Sequence, residues 1–255
     1  MPKKSLLAER LDDVRARIAT ACAKTKRDPS TVTLVAVTKT AGPETIREII
    51  TLGVHDLGEG RAQQLVQRAS QMNEMLARKR VHGDTPGQPP AIRWHMIGHL
   101  QRNKVKPLLP FVSAIHSIDS LRLAEEIDTV GHKLDLRVPV MMQINASEES
   151  QKFGVAVGAA VHLGEQIATM PNLKLIGLMA MAELTDSPEV IRTAFRRTRE
   201  VFEEMKWIKI GGTAFQHLSM GMSHDYEIAV EEGSTMVRVG SALFGASMEE
   251  DVVED

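Results

Sequence analysis

Hydrophobic positions along this chain switch repeatedly between short continuous runs and a three-to-four-residue spacing. Leu7, Leu11, Val14, Ile18 and Cys22 recur at helical intervals with charges between them, predicting an amphipathic helix near residues 4–25. An apolar run then closes at Val35-Ala36-Val37-Thr38-Lys39, a predicted buried strand ending on a lysine. Pro43 opens the next helix, Ile46, Ile49 and Ile50 form its inner face, and Gly53 caps it. His55 to Glu59 reads as a second strand, followed by a helix bearing Leu65, Ala69, Met72 and Leu76. Residues 82–91 carry Gly83, Pro86, Gly87, Pro89 and Pro90 and read as a surface loop.

The alternation continues to the end. Ile92–Gly98, Val112–Ile118, Val138–Asn145, Leu173–Met181, Phe215–Met220 and Thr235–Val239 complete the predicted strands. Helices are expected around Asn103–Leu109, from Leu121, near 155–170, and from Ser187-Pro188-Glu189 onward. Strands separated by helices make a parallel sheet. Eight such units in a chain of 255 residues predict a closed (β/α)8 TIM-type barrel with an extra N-terminal helix. The rival is an open doubly wound sheet, and no Gly-x-Gly-x-x-Gly follows the first strand to favour it. One domain over residues 1–255 is expected, with a frayed acidic tail at 249–255.

Composition narrows the class. The 31 basic and 33 acidic residues nearly balance, so no excess positive charge advertises nucleic acid. No apolar stretch approaches the ~20 residues of a membrane span. The basic Met1-Pro2-Lys3-Lys4 has no signal-peptide core behind it, so a cytoplasmic protein is expected. The single cysteine, Cys22, rules out an intramolecular disulfide and lies on the apolar stripe of the first helix, where it reads as core.

Chemistry is expected at the C-terminal ends of the strands, with phosphate after the seventh and eighth. Ser219-Met220-Gly221-Met222-Ser223 and Gly240-Ser241-Ala242-Leu243-Phe244-Gly245 fall there. Small residues let backbone N–H groups approach phosphate oxygens, and the hydroxyls of Ser219, Ser223 and Ser241 add donors. Plain turn chemistry is the alternative, and the barrel count favours phosphate. Lys39 shares a strand face with Val37 and Val35. An ordinary lysine, with a pKa of about 10.4, is mostly ammonium; desolvation frees the amine to attack a carbonyl. Two readings of Lys39 stay open: a Schiff-base lysine, or a lysine reaching the rim or pairing with Glu59. Arg238 precedes the second turn and either hydrogen-bonds an aromatic cofactor's ring nitrogen or pairs with a carboxylate. His95 and His99 straddle a strand end and do not make a helical metal pair, and no metal is expected. Arg102, Lys104 and Lys106 read as a solvated face, and the strand methionines read as core.

These residues carry a resemblance. Leu34 to Lys39, Trp94-His95-Met96-Ile97-Gly98-His99-Leu100-Gln101-Arg102-Asn103-Lys104, Leu218 to Asp225 and Gly233 to Gly245 resemble, in order, the pyridoxal 5'-phosphate (PLP) homeostasis proteins, relatives of the alanine racemase barrel. The resemblance implies that Lys39 forms the internal aldimine and that Arg238 lies near the pyridine nitrogen. It also implies that Ser219 and its neighbours, with Gly240 and Ser241, cradle the phosphate. The expected cofactor-binding set is Val37, Lys39, Ser219, Met220, Gly221, Met222, Ser223, Arg238, Gly240 and Ser241.

The sequence departs from the family at Gly60, where Gly-Glu-Asn is usual, and in the longer loop at 82–91. A racemase needs two bases, and the chain's only tyrosine, Tyr226, lies after the seventh strand. The chain ends soon after the eighth strand, so the racemase's second domain is expected to be missing. A monomeric carrier that holds PLP reversibly, with PLP-dependent apo-enzymes as possible recipients, is the expectation. A racemase-like enzyme and a Schiff-base aldolase acting on a sugar phosphate are the alternatives.

Overall fold

The structure, a computed structural model, describes residues 4–81, 91–147 and 153–245. The expectations for 82–90 and for the tail at 249–255 lie outside these residues.

Helix α1 (Leu6–Lys24) starts where Ser5 accepts a hydrogen bond from the Ala8 N–H, and it buries Leu7, Leu11, Val14, Ile18, Ala21 and Cys22. Burial raises the Cys22 thiol above its ordinary pKa, as suits a core residue. Strand β1 is Thr33–Val37, followed by α2 (Pro43–Thr51), β2 (Asp56–Glu59), α3 (Ala62–Val81) and β3 (Arg93–Met96). Next come α4 (Val105–Leu108), β4 (Ala114–Ile118), α5 (Leu121–Leu134), β5 (Val138–Asn145) and the two-residue β6 (Val155–Ala156). The chain continues through α6 (Ala160–Ala168), β7 (Leu173–Ala180), α7 (Pro188–Trp207), β8 (His217–Ser219), α8 (Tyr226–Glu231), β9 (Met236–Val239) and α9 (Ser241–Phe244).

All strand pairings are parallel, and β4–β5 and β1–β9 contacts close the sheet into a barrel. Eight strands make the barrel, and β6 adds a short rung to β5 at its C-terminal end. The predicted (β/α)8 barrel is therefore the observed fold. Two registers are irregular, within β4–β5 and within β5–β7, where the barrel wall bends.

Alternation divides each strand between two environments. Outward residues join the helices in the main core, which includes Leu57, Trp94, Met96, Leu218, Met220, Val237 and Val239. The barrel interior holds a separate, smaller apolar cluster of Ala114, Met141, Ile176, Met179 and Met236. The rest of the interior near β2, β3, β4, β8 and β9 is polar. Helix α1 packs on α8, where Arg17 meets Glu227 and Lys24 meets Glu231 at 2.7 Å.

Candidate active site at the barrel mouth

The site begins with one strand pairing. Strand β1 runs beside β9 with Val35 opposite Arg238 and Ala36 opposite Val239. The turn that carries Lys39 thus emerges next to the turn at Gly240. The fit is close: a Cβ on Gly240 would sit 3.3 Å from Val37 Cβ. Segments about two hundred residues apart in sequence share one corner of the mouth, as closure of the barrel predicts.

Lys39 differs from its sequence expectation in burial. Strand β1 stops at Val37, the Ala41 N–H closes a turn onto the Thr38 carbonyl, and Lys39 is exposed. The apolar burial expected of its side chain is therefore not found. The Glu59 alternative also fails. Glu59 is fully buried on the outward side of β2, where it pairs with Arg68 of α3 at 2.5 Å and accepts from the Thr38 hydroxyl. Arg68 also donates to the carbonyl of Thr38 and, at 3.2 Å, to that of Lys39. Burial raises the Glu59 carboxyl above its ordinary value, against the stabilising hydrogen bonds of Thr38 and Arg68. This buried pair clamps the backbone of the Lys39 turn. Sequence reading missed it, because Arg68 looks like one more charge on an exposed helix face.

The two glycine-rich turns follow β8 and β9, the seventh and eighth barrel strands. The N–H groups of Gly240 and Ala242 both point at the Ser223 hydroxyl oxygen, each at 3.2 Å. Two backbone donors thus converge on one oxygen, the arrangement that anion-binding turns use. The Ser223 oxygen here stands in for an anion's oxygen. Gly221 has φ of +92° and lies against Ala229 and Tyr226, so only glycine suits this turn. Asp225 accepts from the Met222 N–H at 2.5 Å, and burial raises its carboxyl. Met222 and Ser241 are exposed at the mouth, whereas Met220 packs outward in the main core.

Arg238 is buried inside the barrel. It donates to the Ser219 carbonyl at 2.8 Å, the Ser219 hydroxyl at 2.7 Å and the Ala180 carbonyl at 3.0 Å. Among the described residues no carboxylate forms an ion pair with it; Asp225 supports its charge from farther away. Burial lowers the guanidinium to about 10, so it stays protonated at neutral pH. Ser219 is fully buried, and its hydroxyl lies between Arg238 and His116 Nδ1, the latter at 3.0 Å. Ser219, an expected phosphate donor, thus turns its hydroxyl to the barrel interior here, while the Ser223 hydroxyl lies at the Gly240 turn.

From Ser219 the polar contacts continue across the interior. His116 Nε2 meets His95 Nδ1 at 2.9 Å, and His95 Nε2 meets Asp56 Oδ1 at 3.0 Å. Arg93 then grips both Asp56 oxygens at 2.7 and 2.5 Å. Burial holds His116 well below the ordinary imidazole range, with the positive charges of His95 and Arg238 adding to the effect. Burial opposes the Asp56 anion, yet hydrogen bonds from His95 and Arg93 outweigh it and lower the carboxyl. His95 and His99 separate: His99, beyond β3, pairs with Asp119 at 3.0 Å and stacks on Phe153. Tyr226 is buried under α1, with the Arg17 guanidinium over its ring.

The comparisons with known proteins agree with this geometry. The family described as alanine racemase, N-terminal domain, matches residues 4–248. The pyridoxal phosphate homeostasis protein of Aquifex aeolicus is 37% identical over 237 residues, covering 93% of this chain and 96% of that protein. A crystal structure of an unknown protein from Bifidobacterium adolescentis superposes with a TM-score of 0.84 at 33% identity, covering 93% of this chain and 94% of that one. PipY of Synechococcus elongatus, with PLP bound, gives 0.77 at 28% identity, covering 94% and 100%. This chain belongs to the pyridoxal phosphate homeostasis protein family, whose barrel is that of the alanine racemase N-terminal domain.

Proposed function

We propose that this protein binds PLP at the barrel mouth, holds it reversibly as an internal aldimine on Lys39, and serves vitamin B6 and amino-acid homeostasis in the cytoplasm. The observation that carries the proposal is the β1–β9 register, which puts the Lys39 turn, Arg238 and the Gly240 turn in one corner. The residues present fit such a cofactor. The N–H groups of Gly240 and Ala242 match a phosphate oxygen in the place that the Ser223 hydroxyl oxygen takes here; the buried Arg238 offers a donor to the ring; Val37 lines the wall beside Gly240. The cofactor supplies an aldehyde that an amine can capture with loss of water.

The chain's own residues point to holding. Lys39 is exposed on a turn that Arg68 clamps, so the amine can reach an incoming aldehyde and water can reach the bond to break it. Arg238 remains protonated and can only donate hydrogen bonds, so a ring nitrogen held against it would accept an N–H, stay unprotonated and withdraw electrons weakly. The one tyrosine is turned toward α1 and supplies no second base at the mouth. The protein in this reading is one monomeric PLP-binding domain that passes cofactor to PLP-dependent apo-enzymes.

A yellow protein that borohydride bleaches, with the label on Lys39, is the expected result. Lys39→Ala should lose the colour. Label on another lysine, or a colourless protein that traps a sugar phosphate, would overturn the proposal. One observation favours a racemase-like enzyme instead: the His99–Asp119 pair at the mouth is a dyad able to move protons. Exchange of deuterium from solvent into an amino acid's α-carbon would establish that reading.

A further inference from the structure

The polar chain inside the barrel is more than a set of satisfied groups. Asp56 accepts only, so His95 Nε2 must carry a proton. His116 is neutral, because burial and the charges around it keep a second proton off. A neutral His116 has one donor and one acceptor, which leaves two consistent patterns for the whole chain. In the first, the Ser219 hydroxyl donates to His116 Nδ1, His116 Nε2–H donates to His95 Nδ1, and His95 Nε2–H donates to Asp56. In the second, His95 is an imidazolium; its Nδ1–H donates to His116 Nε2, His116 Nδ1–H donates to Ser219 Oγ, and the Ser219 proton turns away from His116. Mixed patterns bring two protons or two lone pairs face to face and are excluded.

We propose that Asp56, His95, His116 and Ser219 form a proton-ordered relay with these two directions, chosen by one proton on His95 and read by Arg238 through the Ser219 hydroxyl. The coupling to the cofactor, though not the relay itself, rests on the function proposed above. The two patterns differ by one proton taken from solvent. When that proton binds Ser219 Oγ, the serine's own proton passes to His116 Nδ1 and the His116 Nε2 proton passes to His95 Nδ1. Three N–H or O–H bonds form, two break, and the charge comes to rest on His95 against the Asp56 carboxylate. Arg238 Nη1 donates to the same serine oxygen in both states, but the hydroxyl dipole it meets is reversed.

The surroundings suit this role. The relay's far end opens on a cavity of about 480 Å³ at the N-terminal face, lined by Arg15, His55, Asp56 and Arg93 among others. The groups facing His95 are Asp56, with Arg93 behind it, from β2 and β3, His116 from β4, and His217 from β8. Arg238 of β9 faces His116, and Lys174 of β7 lies near His217. Asp56 is the one anion among these. A barrel interior filled only by apolar side chains would avoid the desolvation cost of this track altogether.

Ring-nitrogen NMR on the cofactor-free protein tests the relay. Coupling across the imidazole–imidazole hydrogen bond identifies the His95–His116 pair. His116 is expected to carry its proton on Nε2 at high pH and on Nδ1 at low pH, with one midpoint shared with the charging of His95. Asp56→Asn, which removes the carboxylate that His95 Nε2–H meets, should move that midpoint. A His116 that keeps one tautomer while His95 titrates, or a pair that never changes protonation while the protein stays folded, would overturn the relay; the wild-type measurement alone decides this. In protein loaded with PLP, the visible band should shift at the same midpoint. A tautomer switch with an unmoved band removes Arg238 as the reader. A wild-type protein that takes no colour refutes the cofactor proposal and leaves the tautomer result to stand by itself.

Discussion

Removing Arg68 should unsettle the Lys39 turn by an amount that depends on pH. Glu59 is fully buried, and its Oε2 has no hydrogen-bond partner among the described residues, so the carboxylate depends on Arg68 and Thr38 through its other oxygen. Breaking a buried pair on one side costs about 3–5 kcal/mol. Glu59 has an escape, because it can take up a proton. From its ordinary value of 4.5, protonation at pH 7 costs roughly 3.5 kcal/mol, at about 1.4 kcal/mol per pH unit. That figure caps the charge penalty in Arg68→Met. The lost hydrogen bonds to the Thr38 and Lys39 carbonyls add roughly 0.5–1.5 kcal/mol each. The sign follows from proton binding: a carboxyl raised in the folded state binds more protons folded than unfolded, so lowering the pH stabilises the variant. Urea unfolding should show Arg68→Met less stable than wild type by about 3–5 kcal/mol at pH 7, with the gap narrowing by up to ~2 kcal/mol toward pH 5. Adding Glu59→Gln should remove the pH dependence of the gap and recover part of the loss. A gap that is the same at both pH values, or that Glu59→Gln does not relieve, would refute the argument.

Three further outcomes are expected. Gly221→Ala, whose Cβ would stand 2.6 Å from Ala229 Cβ and 2.7 Å from Tyr226 Cα at a positive φ, should lose stability in denaturant titration by more than about 1 kcal/mol and weaken PLP binding. Wild-type stability should fall as the pH drops below about 6.5. Burial lowers His116 and His217, so the unfolded chain binds protons that the folded rings refuse, at up to ~1.4 kcal/mol per ring and pH unit; thermal melts against pH check the slope, and His217→Gln should flatten it. Gly60→Asn should be tolerated: a Cβ there meets nothing within 4 Å, so urea midpoints should stay level or rise by the equivalent of about 0.4–1 kcal/mol through a stiffer unfolded chain.

The architecture was legible because each element announces itself locally. Val138–Asn145 is bounded in the structure as the apolar run predicts, and α7 begins at Pro188 directly after Ser187. Barrel closure then follows from counting, and with it the nearness of Lys39 to Gly240. The burial of Lys39 was not legible. Alternation assigns a residue to a face but does not say where the strand stops, and β1 ends two residues before the lysine. The contacts of Ser219 with His116 and Arg238 were not legible either, because a serine beside a glycine turn looks the same in sequence whether its hydroxyl points out or in.

His116 left no signal of its own. It sits in a strand whose other residues are apolar or small, and its two partners come from β3 and β8, the latter 103 residues away. Only the registers bring the relay together: Asp56 lies opposite Arg93, Gly58 opposite His95, and His95 opposite Ala114. The stagger of a closed barrel then sets His95 and His116 at different heights along one diagonal. Strands β5 and β7 face that diagonal with Met141, Ile176 and Met179, which offer no competing hydrogen bond. An apolar wall strengthens each hydrogen bond beside it. The uneven filling of the interior is therefore a physical pointer to the site. Its apolar side packs, and its polar side leads from a cavity at the N-terminal face to Arg238, buried behind the mouth.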